Sequence, residues 1–249
     1  MGVLDGLKFL EQFPYGCLEQ QFSALMPHLY LKQLYEAVGE AYDLHTPLTK
    51  GGGSEGAGGS NNTTSIAQAL KDLLLSLHKY QNTDGGMVYR ETNLNRYLRS
   101  DLQLSVQVLN NLALLRNNNY SVDTTVVNNL ITYVKAEFYR GNPNYCPDCK
   151  YTTMQNLEIL DALLSRNPQD TEIEKMYNQL SFTGIPPIAE LLQARVSNRL
   201  YGEKVALAII SNILNNDLVM NSKGAFLEAR TLSLRVQYTA ELLRTIAEI

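Results

Sequence analysis

What this sequence lacks narrows it first. No run of about 18 apolar residues occurs among its 249 positions, so no segment reads as a membrane-spanning helix. The opening residues, Met1-Gly2-Val3-Leu4-Asp5-Gly6-Leu7-Lys8, have neither a basic leader nor a long apolar stretch, and do not read as a signal peptide. Basic residues form no stripe. The 21 Lys and Arg stand against 25 Asp and Glu, and the net charge of −4 argues against nucleic acid and is otherwise a matter of solubility. Alternation with period two is nowhere long enough to require a sheet, and no fixed-period repeat marks a solenoid. Histidine is confined to His28, His45 and His78, and cysteine to Cys17, Cys146 and Cys149. No cofactor is expected.

What is present is helical periodicity. The chain is 45% hydrophobic, enough to build a substantial core in one or two domains. From Cys17 the apolar positions Leu18, Phe22, Leu25, Met26, Leu29, Leu31, Leu34 and Tyr35 recur at steps of three and four, which predicts a helix to about Val38. Pro27 is expected to kink that helix or to split it after its second turn. Further helices are predicted over Ile66–Leu77, capped by Thr63, Thr64 or Ser65, and over Ser100–Leu115, which is apolar on more than one face and should be buried on both sides. The next are Val122–Phe138 with Asp123 as cap, Thr152–Ser165, Asp170–Leu180, Ile188–Ser197 entered through Pro186-Pro187, Gly202–Asn215 and Leu232–Ile249. Met87–Tyr89 and Ala225–Leu227 could form short extended pieces. Short loops between successive helices imply antiparallel helical hairpins, in an open superhelix or a closed ring.

Residues 51–62 are low-complexity, rich in Gly and Ser, and read as a flexible linker. Their composition is close enough to engineered linkers to suggest a replaced natural loop. Gly51, Gly53 and Gly56 happen to satisfy Gly-x-Gly-x-x-Gly, but no strand precedes them and no βαβ unit surrounds them, so a nucleotide site fails on context. The glycosylation pattern also occurs, as at Asn119-Tyr120-Ser121, and carries little weight in an Asn-rich chain.

The chemistry is concentrated in Phe13-Pro14-Tyr15-Gly16-Cys17-Leu18-Glu19-Gln20, where a turn runs into the first helix. Positions i and i+3 share a helix face, about 5–6 Å apart at Cβ, so Cys17 and Gln20 can meet. A thiolate held against a carboxamide, with water excluded, can displace ammonia and close an internal thioester. The positive end of the helix would favour the thiolate. Spacing alone is weak evidence, because a Cys flanked by apolar residues is ordinarily an inert hydrophobe.

The surrounding residues are more specific. The run resembles the thioester motif Pro-Tyr-Gly-Cys-x-Glu-Gln of the α2-macroglobulin and complement family, with Pro14, Tyr15, Gly16, Cys17, Glu19 and Gln20 all matching. Leu18 stands where vertebrate members have glycine and bacterial α2-macroglobulins often have a larger apolar residue. Gln81-Asn82-Thr83-Asp84-Gly85-Gly86 looks like the family's Gln-x-x-Asp-Gly-Gly turn, Asp101–Leu109 like the helix after it, and the segment from Thr231 like the last helix of its thioester domain.

This resemblance implies an all-α fold, an α/α toroid of consecutive antiparallel hairpins, with residues 1–249 as one thioester domain of a larger exported protein whose targeting signal lies elsewhere. It implies Cys17 and Gln20 as thioester partners, acylating lysine amines of proteases or other proteins: a single-turnover trap, not a turnover catalyst. Shielding from water falls to Tyr15, Phe13, Phe22 or Met26, with Tyr89 a weaker candidate. Glu19 matches the motif, and is otherwise a favourable first-turn acid. Some complement proteins use a histidine after the Asp-Gly turn for transfer to hydroxyls, and members with asparagine there favour amines. Residues 90–99 contain no histidine, and Asn95 or Asn93 could occupy the position, so amine preference is expected. His28 reads as a satisfied helix histidine rather than a base.

With Cys17 assigned to the thioester, Cys146 and Cys149 would form a local disulfide in a periplasmic or extracellular setting. Zinc needs four ligands and no second Cys pair is present, and a thioredoxin-like centre lacks its βαβ context. A rival reading of the whole chain is a helical binding or scaffold module with no functional thioester. Glycan-processing enzymes and prenyltransferases also use α/α rings, but no carboxylate or metal constellation stands out.

Overall fold

The computed structural model describes residues 17–45, 64–92, 99–141, 151–221, 224–227, 229 and 231–249. The expectations for Phe13, Tyr15, the 51–62 linker, Asn93, Asn95, Cys146 and Cys149 lie outside them. The described residues form nine α-helices, a short 3-10 helix and a two-stranded hairpin, an all-α fold as the periodicity requires.

Contacts divide the chain into two compact units, Met1–Val134 and Lys135–Ile249. The first contains α1 (Leu18–Ala37), α2 (Ile66–Ser76), the 3-10 turn Leu77–Tyr80, α3 (Leu102–Asn117) and most of α4 (Thr124–Gly141). Helix α1 packs on α2 and α3. It runs unbroken through Pro27, so the expected split does not occur. The missing N–H and ring clash cost about 3 kcal/mol, but Leu25, Met26 and Leu29 are buried on either side and hold both halves against the core. The helix ends in a Schellman turn: Gly39 takes φ +78, Glu40 N–H reaches Tyr35 C=O at 2.8 Å and Gly39 N–H reaches Glu36 C=O at 3.1 Å. Helix α3 starts two residues inside its predicted range, with Asp101 Oδ1 accepting from Leu104 N–H at 2.8 Å. Leu104, Val106, Val108, Leu109, Leu112 and Leu115 are all buried, as an all-round apolar helix demands.

The second unit contains the end of α4, then α5 (Thr153–Leu164), α6 (Thr171–Tyr177), α7 (Pro187–Tyr201), α8 (Glu203–Asp217), β1 (Leu218–Asn221), β2 (Gly224–Leu227) and α9 (Leu232–Glu248). Helix α7 is its hub, touching α5, α8 and α9, and Leu191 and Ala194 join Ile210, Ile213, Leu227 and Leu242 in one core. At the same hub Arg195, 2% exposed, donates to Asp161 on α5 at 2.8 Å and pairs with Glu241 on α9. Arg199 reaches the same Asp161 carboxylate at 2.8 Å. A buried guanidinium is tolerated here because carboxylates from two helices meet it. The antiparallel pairing Leu218↔Leu227 to Asn221↔Gly224 places β2 around the expected Ala225–Leu227 piece. Strand β1 was not foreseen, since four residues are too few to show period two. The other extended piece forms only isolated bridges, Met87 with Gln81 and with Asp101.

Two glycines with positive φ separate local strain from packing. A Cβ on Gly85 (φ +91) would stand 2.4 Å from the Asn129 carbonyl oxygen, whereas Gly39 (φ +78) has open space. Gly39→Ala should cost about 1 kcal/mol from backbone strain alone. Gly85→Ala should cost about 3 kcal/mol or more, because α4 must also move. Urea unfolding of the two variants checks this ordering.

Candidate functional site

The first turn of α1 presents the pair singled out in the sequence. Cys17 is the N-cap, with extended backbone (φ −129, ψ 159), and its carbonyl accepts the first helical bond from Gln21 N–H at 3.1 Å. Leu18, Glu19 and Gln20 are therefore N1, N2 and N3. In a capping box the N-cap side chain accepts from the N3 backbone N–H and the N3 side chain accepts from the N-cap backbone N–H. The same protein builds that arrangement at α5, where Thr152 is N-cap and Gln155 is N3. There Thr152 Oγ1 lies 3.1 Å from Gln155 Oε1. At α5 an N-cap side-chain atom and an N3 glutamine carboxamide are thus in contact. Cys17 and Gln20 are both half-buried, and the Cys17 side chain makes no cap bond to the helix.

An orphan N–H at N1 needs a partner. Leu18 N–H finds it in the Tyr89 carbonyl at 2.9 Å, which ties the segment after the Gly85-Gly86 turn to the start of α1. Beside this bond, Gln21 Nε2 donates to Tyr80 Oη at 2.8 Å and Val88 N–H donates to Tyr80 C=O at 2.9 Å. The Tyr89 side chain is 39% exposed. Burial pushes its phenol up, and the negative charges of Asp101, Glu19 and Cys17 push the same way, so the ring stands in an acidic neighbourhood at the helix start.

Gln81, Asp84 and Gly86 fix the turn before Tyr89. Gln81 Nε2 donates to Gly85 C=O and to Val126 C=O of α4, both at 2.9 Å. Asp84 accepts from Gly86 N–H at 3.0 Å and from Ser100 Oγ at 2.6 Å. A Cβ on Gly86 would stand 2.5 Å from Ser100 Cβ and 2.7 Å from the Tyr133 ring. The turn is a clasp between α3 and α4 that sets the height of Met87–Tyr89.

The other sequence candidates separate. Glu19 is exposed at N2. Phe22 and Met26 are buried core residues, and Met26 lies about 9 Å along the helix axis from Gln20, away from the first turn. His28 is buried, its Nδ1 2.7 Å from Tyr42 Oη, so it is bonded inside the fold as a structural histidine. Tyr80, Ser105 and Asp101 were not singled out. Ser105 Oγ accepts from Met87 N–H at 2.9 Å and donates to Asp101 C=O at 2.6 Å, joining the segment to α3. One serine in a buried helix is common, and nothing in its spacing marks it. Among the described residues no three His, Cys, Asp or Glu side chains are grouped to hold a metal ion, and no helix is long and apolar enough to cross a membrane.

The fold and this helix start define an all-α chain whose Cys-x-x-Gln pair opens a helix, with the Cys at its N-cap. Compared with family models and with curated proteins, the sequence matches none. Solved structures do match. Over 98% of its length the chain superposes on part of a Salmonella α2-macroglobulin reacted with methylamine, at TM-score 0.59 and 15% identity. The native conformation of E. coli α2-macroglobulin matches 88% of the chain at TM-score 0.54 and 16% identity. An E. coli structure running from domain MG7 to the C-terminus matches 90% at TM-score 0.53. The chain covers 15%, 13% and 32% of those three chains respectively. It has the fold of this segment of the bacterial α2-macroglobulins, along nearly its whole length.

Ser105→Ala would leave Met87 N–H buried without its partner, at about 1–3 kcal/mol. The expected outcome is a melting temperature lower by several degrees, with amide exchange of Met87 and Leu18 accelerated before that of α4.

Proposed function

We propose that Cys17 and Gln20 form an internal thioester, and that the chain is the thioester domain of an α2-macroglobulin-like protein that traps proteases covalently. The observation that carries this reading is the placement of Cys17 at N-cap and Gln20 at N3 of α1, the two positions brought within 3.1 Å in the Thr152–Gln155 pair. The six-residue motif match and the likeness to a macroglobulin reacted with methylamine support it. The same reading takes residues 1–249 as one domain, its hairpins closed into an α/α toroid, within a longer exported protein.

Formation of the bond joins Cys17 Sγ to the Gln20 side-chain carbonyl carbon and releases ammonia. Discharge follows when a lysine amine attacks that carbon. The C–S bond breaks, the electron pair leaves on sulfur, and the proton lost by nitrogen ends on the thiol. The product is an amide to the target, with Cys17 free. No step restores the thioester, so each domain reacts once. The acylating power comes from weak resonance in the thioester and from a leaving thiol whose ordinary pKa is about 8.5. Tyr89, whose carbonyl is bonded at Leu18 and whose ring stands at the surface, is the described residue best placed to limit water at the bond; Tyr15 keeps the shielding role its nearness in sequence suggests, and Asn95 the role that the resemblance gives it.

Two measurements test the reading. The intact mass of protein purified without denaturation should fall short of the sequence mass by one ammonia, about 17 Da by the atom balance above, and Cys17→Ala should abolish the deficit. An unshifted mass with a titrating Cys17 would make the chain a helical binding module instead. With the thioester intact, methylamine should react faster than glycerol, and a faster glycerol adduct would overturn the amine preference.

A further inference from the structure

The first unit has a second concave surface that the thioester chemistry does not use. A cavity of about 750 Å³ lies among the second half of α1, α2, the 3-10 turn and the α3–α4 connection. That volume suits one small organic molecule. Its wall is a fixed helix end. Asn119 takes φ +64 at the close of α3, which lets Tyr120 N–H reach Leu115 C=O and Asn119 N–H reach Arg116 C=O, both at 3.0 Å. This Schellman turn folds Tyr120 back along the helix and into the lining.

The lining has two chemistries. Leu44, Leu74, Leu75 and Val126 supply an apolar wall. Leu75 is left 74% exposed at this site, an aliphatic side chain that a covering ligand would shelter. Lys32, Lys71 and Tyr120 supply donors. Lys32 is oriented by Glu36 at 2.7 Å, and an ammonium has three N–H groups to give. Burial pushes the Tyr120 phenol up, with Lys32 opposing, so at neutral pH it keeps its proton. Among the described lining residues Asp123 is the acidic one, and one of its oxygens is taken by Thr125 N–H at 2.8 Å at the start of α4. His78 Nδ1 donates to Leu75 C=O at 2.9 Å. An apolar hollow edged by donor-only cations complements a ligand with a hydrocarbon body and an anionic, acceptor-only head.

We propose that this cavity binds a medium-chain fatty carboxylate, with the tail on Leu74, Leu75 and Val126 and the carboxylate on Lys32 and Lys71. Glu36 already faces Lys32, so it is the Lys71 ammonium that a neutral head would leave without a counter-charge and that a cationic head would meet unfavourably.

Isothermal titration of the full chain with decanoate, decyl maltoside and decyltrimethylammonium, each below its micelle concentration, tests this. Decanoate should bind one per chain, about tenfold tighter than the other two, as one charge-assisted pair provides. Lys71→Gln should remove about that tenfold for decanoate and leave decyl maltoside unchanged, while Leu75→Ser should weaken both several-fold. Both side chains are exposed, so neither substitution disturbs the core. Cys17→Ala should bind decanoate as the parent does, whether or not the thioester forms. Equal binding of the three amphiphiles, or decanoate binding unchanged in both variants, would overturn the assignment. So would tighter binding of a tri-leucine peptide with a free C-terminal carboxylate, which would make the occupant a peptide end.

Discussion

A helix start leaves its first N–H groups without partners, and the way this is resolved at α1 governs what Cys17 can do. In an ordinary capping box the N-cap side chain accepts from N3 and the N3 side chain reaches back, as Thr152 and Gln155 do at α5. At α1 the hydroxyl is replaced by a thiol, a poor cap, and the N1 amide is satisfied by Tyr89 C=O from another segment. The Cys17 side chain makes no cap bond, and the start of α1 is fixed instead by the segment that follows the Gly85-Gly86 turn. The price in local helix stability is met by burial of Leu18 and Phe22 immediately after it.

The Tyr89 bond is in turn only as good as the turn that delivers it. Gln81 holds that turn to α4, Asp84 holds it to Ser100, and Ser105 of α3 takes the amide of Met87. Gly85 and Gly86 are there because α4, Ser100 and Tyr133 leave no room for a Cβ. The second unit uses a different anchor, the buried Arg195 with its carboxylates from α5 and α9. Removing either partner there strands a charge, which is a stronger constraint on sequence than the net energy of the pair.

The periodicity of the chain located all nine helices of the described residues to within a few residues, and of the caps it named Ser65 and Asp123 each accept a bond from the helix they precede, whereas Asp101, Thr152, Asp170 and Thr231 emerged as caps only in the structure. Helix signals are local, so they are written in neighbouring residues. Pro27 shows the limit. Its cost is local and legible, whereas the burial that outweighs it comes from α2 and α3 and is not. Met26 shows the same limit at the site: proximity in sequence makes it a candidate for shielding, but six residues along a helix place it about 9 Å from Gln20, in the core.

The sequence by itself determined an all-α chain, a Cys-x-x-Gln pair opening its first helix, and a Gly-Gly turn of some importance, because each rests on residues within about one helical turn of one another. Only the tertiary structure decided that the N1 amide beside Cys17 belongs to a carbonyl 71 positions later, that Ser105 and Tyr80 support that contact, and that the cations of α1 and α2 edge a common hollow. These pairings join residues whose separation along the chain carries no periodic signal, and they exist only once the helices have packed.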